Sequence, residues 1–210
     1  MAAMTADEVM ALAPVIPVLT IERIKDAVPL ARALVAGGLT ALEITLRTDC
    51  ALAAIERIAG EVEGCVTGAG TVTNAAAYRS ALAAGARFVI SPGLTDPLLA
   101  EAAGHDAAYL PGIATASELM RGLDAGLRRF KFFPAEAIGG AAALKALHGP
   151  FGEVRFCPTG GITAASAPSY LALPNVACVG GGWVAPASAV AAGDWTAITE
   201  LARTAAGLAR

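Results

Sequence analysis

Short apolar runs rich in β-branched or aromatic residues recur along the chain: VIPVL (15–19), ALEITL (41–46), CVTGAGTV (65–72), RFVISPG (87–93), AYLPGI (108–113), RFKFFP (129–134), VRFCPTGGI (154–162) and VACVGGGW (176–183). Each of the eight has the length of a strand. Between them lie Ala/Leu-rich segments with helical spacing, such as 27–38, 74–86, 95–104 and 115–127, most of them closed by a glycine near the helix end. The repeat of roughly 20 to 27 residues is what one strand, one helix and two tight loops require.

Strict β-α alternation predicts an all-parallel sheet. Eight units in 210 residues predict an α/β protein, the closed (β/α)8 TIM barrel with a short N-terminal helix. The alternative is an open doubly wound sheet, whose dinucleotide fingerprint would place a Gly-rich turn after the first strand. Here the glycine runs follow the seventh and eighth. Residues 1–210 are then a single domain with 1–14 as a helical extension, where TADEVMALA (5–13) offers Thr5 as N-cap and Glu8 at the reciprocal capping-box position. In such barrels chemistry sits at the carboxyl ends of the strands, so unusual residues there carry the functional information.

Composition narrows the class. Hydrophobic residues make up 56% and charged residues 16%, which excludes disorder and raises a membrane question. The longest uncharged stretch, Phe156 to Gly193, is broken by Pro158, Pro168, Pro174 and Pro186, and so offers no clean span of about 20 apolar residues. No membrane partner is expected. The N-terminal Asp7 and Glu8 stand where a secretory signal would be basic, and a cytoplasmic location is expected. Four cysteines without a C-x-x-C predict reduced packing residues, and with only two histidines no protein-built metal site is expected. The net charge of −3, with no basic run, argues against nucleic acid as a partner.

Of the three lysines, Lys25 lies in the charged segment ERIKD and Lys145 in ALKALHG, where a solvated helix face is the ordinary explanation. Lys131 lies inside RFKFFP. Period-2 alternation puts it with Phe133 on one face and Phe130 with Phe132 on the other, so Lys131 points into the barrel if the even face packs against helices. Desolvation disfavours an ammonium ion, and a neutral amine is the nucleophile that forms a Schiff base with a carbonyl. The bland alternative is a buried structural ion pair, although the strand itself holds no adjacent carboxylate. Glu43 is the acid most clearly inside a strand. Alternation puts Glu43, Thr45 and Arg47 on one face, with Leu42, Ile44 and Leu46 on the other. Glu43 and Arg47 could simply neutralise each other; functionally, Glu43 would move protons and Arg47 would hold a substrate carboxylate. Glu136 is a weaker rival base, equally explained by a loop salt bridge or a helix-start carboxylate.

Glycine-rich strand ends, PTGGIT (158–163) and VGGGW (179–183), suit a phosphate, because glycine lets backbone N–H groups approach an anion and the loops after strands seven and eight are a frequent phosphate site. Plain tight turns are the alternative. In GAGTVT (68–73) the glycines resemble a strand-end bend, while Thr71 could turn a hydroxyl into the same mouth. Together these parts suggest imine chemistry on a phosphorylated keto acid without a metal.

LEITLRT (42–48), GAGTV (68–72), ISPG (90–93), PGIATASELM (111–120), FKFFPAE (130–136), LKALHGPF (144–151), VRFCPTGGI (154–162) and LPNVACVGGGW (173–183) closely resemble the bacterial 2-keto-3-deoxy-6-phosphogluconate aldolases, the class I aldolases of the Entner–Doudoroff pathway. The resemblance runs from about Val15 to Pro186. It implies a homotrimeric barrel that cleaves the phosphorylated keto-deoxy acid to pyruvate and glyceraldehyde 3-phosphate, often with 4-hydroxy-2-oxoglutarate as a second substrate. The alternatives are an aldolase mainly for 4-hydroxy-2-oxoglutarate or for the phosphogalactonate epimer. No cofactor is implied beyond the covalent lysine–substrate imine. Carried over, the Schiff-base lysine falls on Lys131, the acid/base glutamate on Glu43, and the carboxylate grip on Arg47 and Thr71. Pro92 and Phe133 match walls of the pyruvyl pocket. Thr159, Gly160 and Gly161 match the segment beside the substrate hydroxyls and phosphate, with Gly181 and Gly182 on the strand-eight side. The family's Gly-Gly-Ser-Trp is here Gly180, Gly181, Gly182 and Trp183, so no serine hydroxyl faces the phosphate.

Overall fold

A computed structural model describes residues 4–209; residues 1–3 and 210, the ends of the expected 1–210 domain, lie outside the described residues. In chain order the elements are α1 (Ala6–Ala11), β1 (Val15–Leu19), α2 (Ala27–Ala36), β2 (Ala41–Thr45), α3 (Ala51–Glu61), β3 (Val66–Gly70), α4 (Ala75–Ala83), β4 (Phe88–Ser91), α5 (Asp96–Ala103) and β5 (Ala108–Ile113). They continue as α6 (Ala116–Asp124), β6 (Arg129–Phe132), α7 (Gly140–His148), β7 (Arg155–Pro158), α8 (Ala167–Leu171), β8 (Val179–Gly181), α9 (Ala187–Ala192) and α10 (Trp195–Ala206). Each expected strand is present.

All strand pairs are parallel, in the order β7-β6-β5-β4-β3-β2-β1-β8. The pairing of Val15 with Val179 and Pro17 with Gly181 brings the last strand back to the first, which rules out the open sheet. The remaining seam, between β7 and β8, is bridged at Thr159–Gly180. The expected (β/α)8 barrel with its short N-terminal helix is therefore the fold.

Residues alternate between two apolar clusters. Leu42, Ile44, Val89, Tyr109, Phe130, Phe132 and Phe156 pack outward against the helices. Ile16, Phe88, Ile90, Ala108, Leu110, Cys157 and Cys178 turn inward. Burial on both faces is what a helix-covered parallel sheet requires, and it accounts for the apolar composition.

The inner cluster is closed at the amino-terminal end by Val9 and Met10 of α1, which are 0% and 1% exposed. A six-residue helix is too short to persist alone, so its docking must hold it. Burying the two side chains supplies about 1.5–3 kcal/mol each. The expected capping box is formed: Glu8 N–H donates to Thr5 Oγ1 at 3.2 Å, and Thr5 N–H donates to Glu8 Oε2 at 2.7 Å. Asp7 also pairs with Arg129 at the start of β6. At the other end of the chain α10 lies against α2. A Cβ on Gly37 would come within 2.4 Å of the Ala202 methyl, so only glycine permits this approach. No disulfide joins the four cysteines, and no helix among the described residues is long and apolar enough to cross a membrane.

Candidate active site

The inward positions change character toward the carboxyl end of the barrel. On β6, Phe130 and Phe132 pack outward with Phe156, at ring-centroid distances of 6.5 and 6.2 Å, and this fixes the inward direction of Lys131 between them. Lys131 is 4% exposed, in register with Gly112 of β5 and Cys157 of β7. Its Nζ donates to Glu43 Oε1 at 2.9 Å and lies 5.3 Å from the centroid of Phe133. Glu43 is 1% exposed, in register with Val18 of β1 and Gly68 of β3. The carboxylate missing from the lysine's own strand is thus supplied from across the barrel.

The buried ion pair anticipated as the bland alternative exists, and it is also the arrangement a proton-moving amine and carboxylate would adopt. Pairs of this kind add little net stability, because the desolvation of both charges offsets their attraction.

Missing side chains make the room. A Cβ on Gly70 would fall 2.2 Å from Glu43 Oε1, and one on Gly112 would fall 2.2 Å from the Pro92 carbonyl oxygen. The strand end suggested for GAGTVT falls at Gly70, the last residue of β3, while Gly68 lies inside the strand; at both, close neighbours, the Glu43 carboxylate and the Phe88 ring, exclude larger residues. Glycine inside a strand pattern is itself the signal of such an approach. Gly70, Gly112 and Gly180 were not singled out for this role from the sequence.

Arg47 follows the end of β2 and is exposed on the rim, so it does not neutralise Glu43 inside the barrel. Its Nε donates instead to Thr71 Oγ1 at 3.0 Å. Thr71 is the one described non-glycine residue with positive φ, at +58°. That conformation costs roughly 1–2 kcal/mol. Flanking bonds from Leu46 N–H to Gly70 O (2.8 Å) and from Val72 N–H to Ile90 O (3.3 Å) hold it in place. Strain fixed by its surroundings next to a buried charged pair is typical of a functional mouth.

Pro92 follows Ser91, whose Oγ donates to Gly93 O at 2.7 Å and lies 2.8 Å from Tyr109 Oη. Burial pushes the Tyr109 phenol up to about 12, which keeps it protonated. Thr159 is 6% exposed, and its Oγ1 occupies the space that a Cβ on Gly180 would need, 2.2 Å away. Gly160 and Gly161 have φ of +105° and +79°, which explains the glycine pair. Gly181 is buried beneath the Trp183 ring. Gly182 is exposed at the rim, where a Cβ would meet only Val18 O at 3.5 Å. Glu136 is exposed and accepts a bond from Tyr170 Oη at 2.8 Å. Of the two bland explanations the helix start holds, since Glu136 opens a 3-10 turn over Glu136–Ile138, while no salt bridge to it is present among the described residues. Among the described residues no group of three or more His, Cys, Asp or Glu is arranged to hold a metal.

Comparison with known proteins gives a consistent picture. The family model described as KDPG and KHG aldolase matches residues 6–201. A 2-dehydro-3-deoxy-phosphogluconate aldolase of Dickeya dadantii is 55% identical over 96% of this chain and 94% of its own length. The crystal structure of the Zymomonas mobilis 2-keto-3-deoxy-6-phosphogluconate aldolase with 3-phosphoglycerate is 57% identical, with a TM-score of 0.93 over 97% of this chain and 96% of that one. The Legionella pneumophila KDPG aldolase, with pyruvate captured as a covalent carbinolamine, is 47% identical, with a TM-score of 0.95 over 97% and 99%.

Proposed function

The chain belongs to the KDPG and KHG aldolase family, and from that premise we propose that it is a class I aldolase cleaving 2-keto-3-deoxy-6-phosphogluconate to pyruvate and glyceraldehyde 3-phosphate. The observation that carries the reading is the buried amine of Lys131, 2.9 Å from the carboxylate of Glu43 in a mouth cleared by glycine. The carbinolamine of the Legionella relative supports the covalent route.

Lys131 attacks the C2 ketone, and Glu43 moves the protons that turn carbinolamine into iminium with loss of water. The cationic nitrogen is the electron sink. Removal of the C4 hydroxyl proton breaks the C3–C4 bond, releases the aldehyde and leaves a pyruvate enamine on Lys131. Protonation at C3 and hydrolysis return the free amine. Arg47 and Thr71, already bonded to each other, grip the carboxylate and fix the orientation of the carbonyl. Pro92 and Phe133 wall the pyruvyl end. Thr159, Gly160, Gly161, Gly181 and Gly182 take the hydroxyls and phosphate. The imine itself polarises the substrate, so the proposed cycle uses no cofactor. The same premise supports a single-domain cytoplasmic homotrimer, for which Leu52 of α3 and Met120 of α6, 38% and 56% exposed, offer apolar surface.

The test compares kcat/KM for the substrate with and without its phosphate. Backbone contacts to a dianion should favour the phosphorylated compound by about 10-fold or more. Equal or better turnover of the unphosphorylated acid would overturn the substrate assignment and point to an unphosphorylated 4-hydroxy-2-keto acid as the substrate class, 4-hydroxy-2-oxoglutarate among its members.

A further inference from the structure

Two neighbouring loops leave the mouth together. Past the end of β6, Ala135 N–H donates to Thr159 O at 2.8 Å and Glu136 N–H to Gly160 O at 3.1 Å, so the lysine's strand and the glycine turn are laced beyond the sheet. The Glu136 side chain then runs directly against that turn: a Cβ on Gly161 would lie 2.7 Å from Glu136 Cγ. Its carboxylate is held from behind by Tyr170 Oη at 2.8 Å.

Tyr170 belongs to α8, the helix that follows the same glycine turn. It is 1% exposed, and its hydroxyl also packs at Gly140, where a Cβ would come within 2.9 Å. Burial first, and then the neighbouring carboxylate, push the Tyr170 phenol up to about 12, so it remains a donor across the neutral range. The bond closes a loop of structure: glycine turn, α8, Tyr170, Glu136, lysine strand.

We propose that Tyr170 and Glu136 are positioning residues that set the Gly160–Gly161 turn relative to Lys131, and so govern binding of the phosphorylated end of the substrate without touching the reacting atoms. This rests on the aldolase reading above.

The reading itself supplies a way to separate the two ends. Exchange of the pyruvate methyl hydrogens in D2O needs only the enamine chemistry at Lys131 and Glu43 and the carboxylate grip. Cleavage of the full substrate also needs the glycine turn. Tyr170→Phe should raise KM for cleavage on the order of tenfold, the scale of one hydrogen bond to a charged group, and leave the exchange rate within about twofold. Glu136→Ala, at an exposed position, should reproduce the KM effect and carries the test if the tyrosine variant does not fold. Glu136→Gln keeps an acceptor oxygen of the same reach and should restore KM to within about threefold of the parent.

A parallel loss of exchange and cleavage, or an unchanged KM in Tyr170→Phe and Glu136→Ala, would overturn the proposal. Loss of exchange in Glu136→Gln would make Glu136 a base and overturn it equally. Parent enzyme that neither exchanges pyruvate nor cleaves the substrate would instead remove the aldolase reading, and the positioning role with it.

Discussion

At the amino-terminal end of the barrel the strands turn Ile16, Phe88, Ile90, Ala108 and Leu110 inward against Val9 and Met10 of α1. Toward the carboxyl ends, Glu43 and Thr45 of β2, Gly70 of β3, Gly112 of β5 and Lys131 of β6 hold the inward positions. The floor is filled with apolar side chains that have no chemistry to perform. The mouth is emptied by glycine and then occupied by a buried charged pair that stability alone does not justify. Pleat and register place both layers. The difference lies only in what stands at the inward positions, which is how one scaffold holds a rigid base beneath a reactive top.

The contrast can be broken from either side. The largest effect should come from the mouth: Glu43→Gln should slow turnover of the folded enzyme by roughly 10² to 10⁴, and it should also lower the thermal midpoint, because the buried Lys131 amine loses its carboxylate partner. Steady-state kinetics beside a melting curve checks this, and an unimpaired variant would remove Glu43 from the mechanism. From the floor, Met10→Ala should cost about 2–5 kcal/mol of stability and leave kcat per folded molecule unchanged. A fall in kcat matching the fall in stability would mean that the two ends are not separable. A smaller effect tests the boundary between them. Gly70→Ala places a methyl where the Glu43 carboxylate now lies and should lower kcat by up to about 10², since a 1 Å misplacement of a catalytic group has that scale. Full activity in that variant would show that the carboxylate has slack.

Much of this was legible in the chain. Local alternation sets Lys131 and Glu43 on the strand faces opposite their apolar neighbours, and those faces point inward once the apolar neighbours pack against helices. Eight strand-helix units predicted the closed barrel, and Thr5 with Glu8 announced the cap of α1. The meeting of Lys131 with Glu43, 88 residues away, was not legible, since it depends on the register around a closed sheet. Arg47 shares the face of Glu43 when the period is extended past Thr45, yet β2 ends at Thr45 and Arg47 stands exposed at the rim, too far out to neutralise Glu43 and at the strand end where a carboxylate grip belongs. Gly70 and Gly112 hid for a related reason: a glycine's value is the volume it leaves to a neighbour, and the neighbour is known only after folding. Glu136 looked like a rival base because its partner, Tyr170, comes from a helix 34 residues on.

The central claim is that the inward lysine of β6 is the nucleophile. Borohydride reduction in the presence of pyruvate, followed by peptide mass analysis, tests it most directly. The account predicts one stable pyruvyl adduct on the peptide containing Lys131. An adduct confined to Lys25 or Lys145, or none at all in protein that turns over, would contradict it.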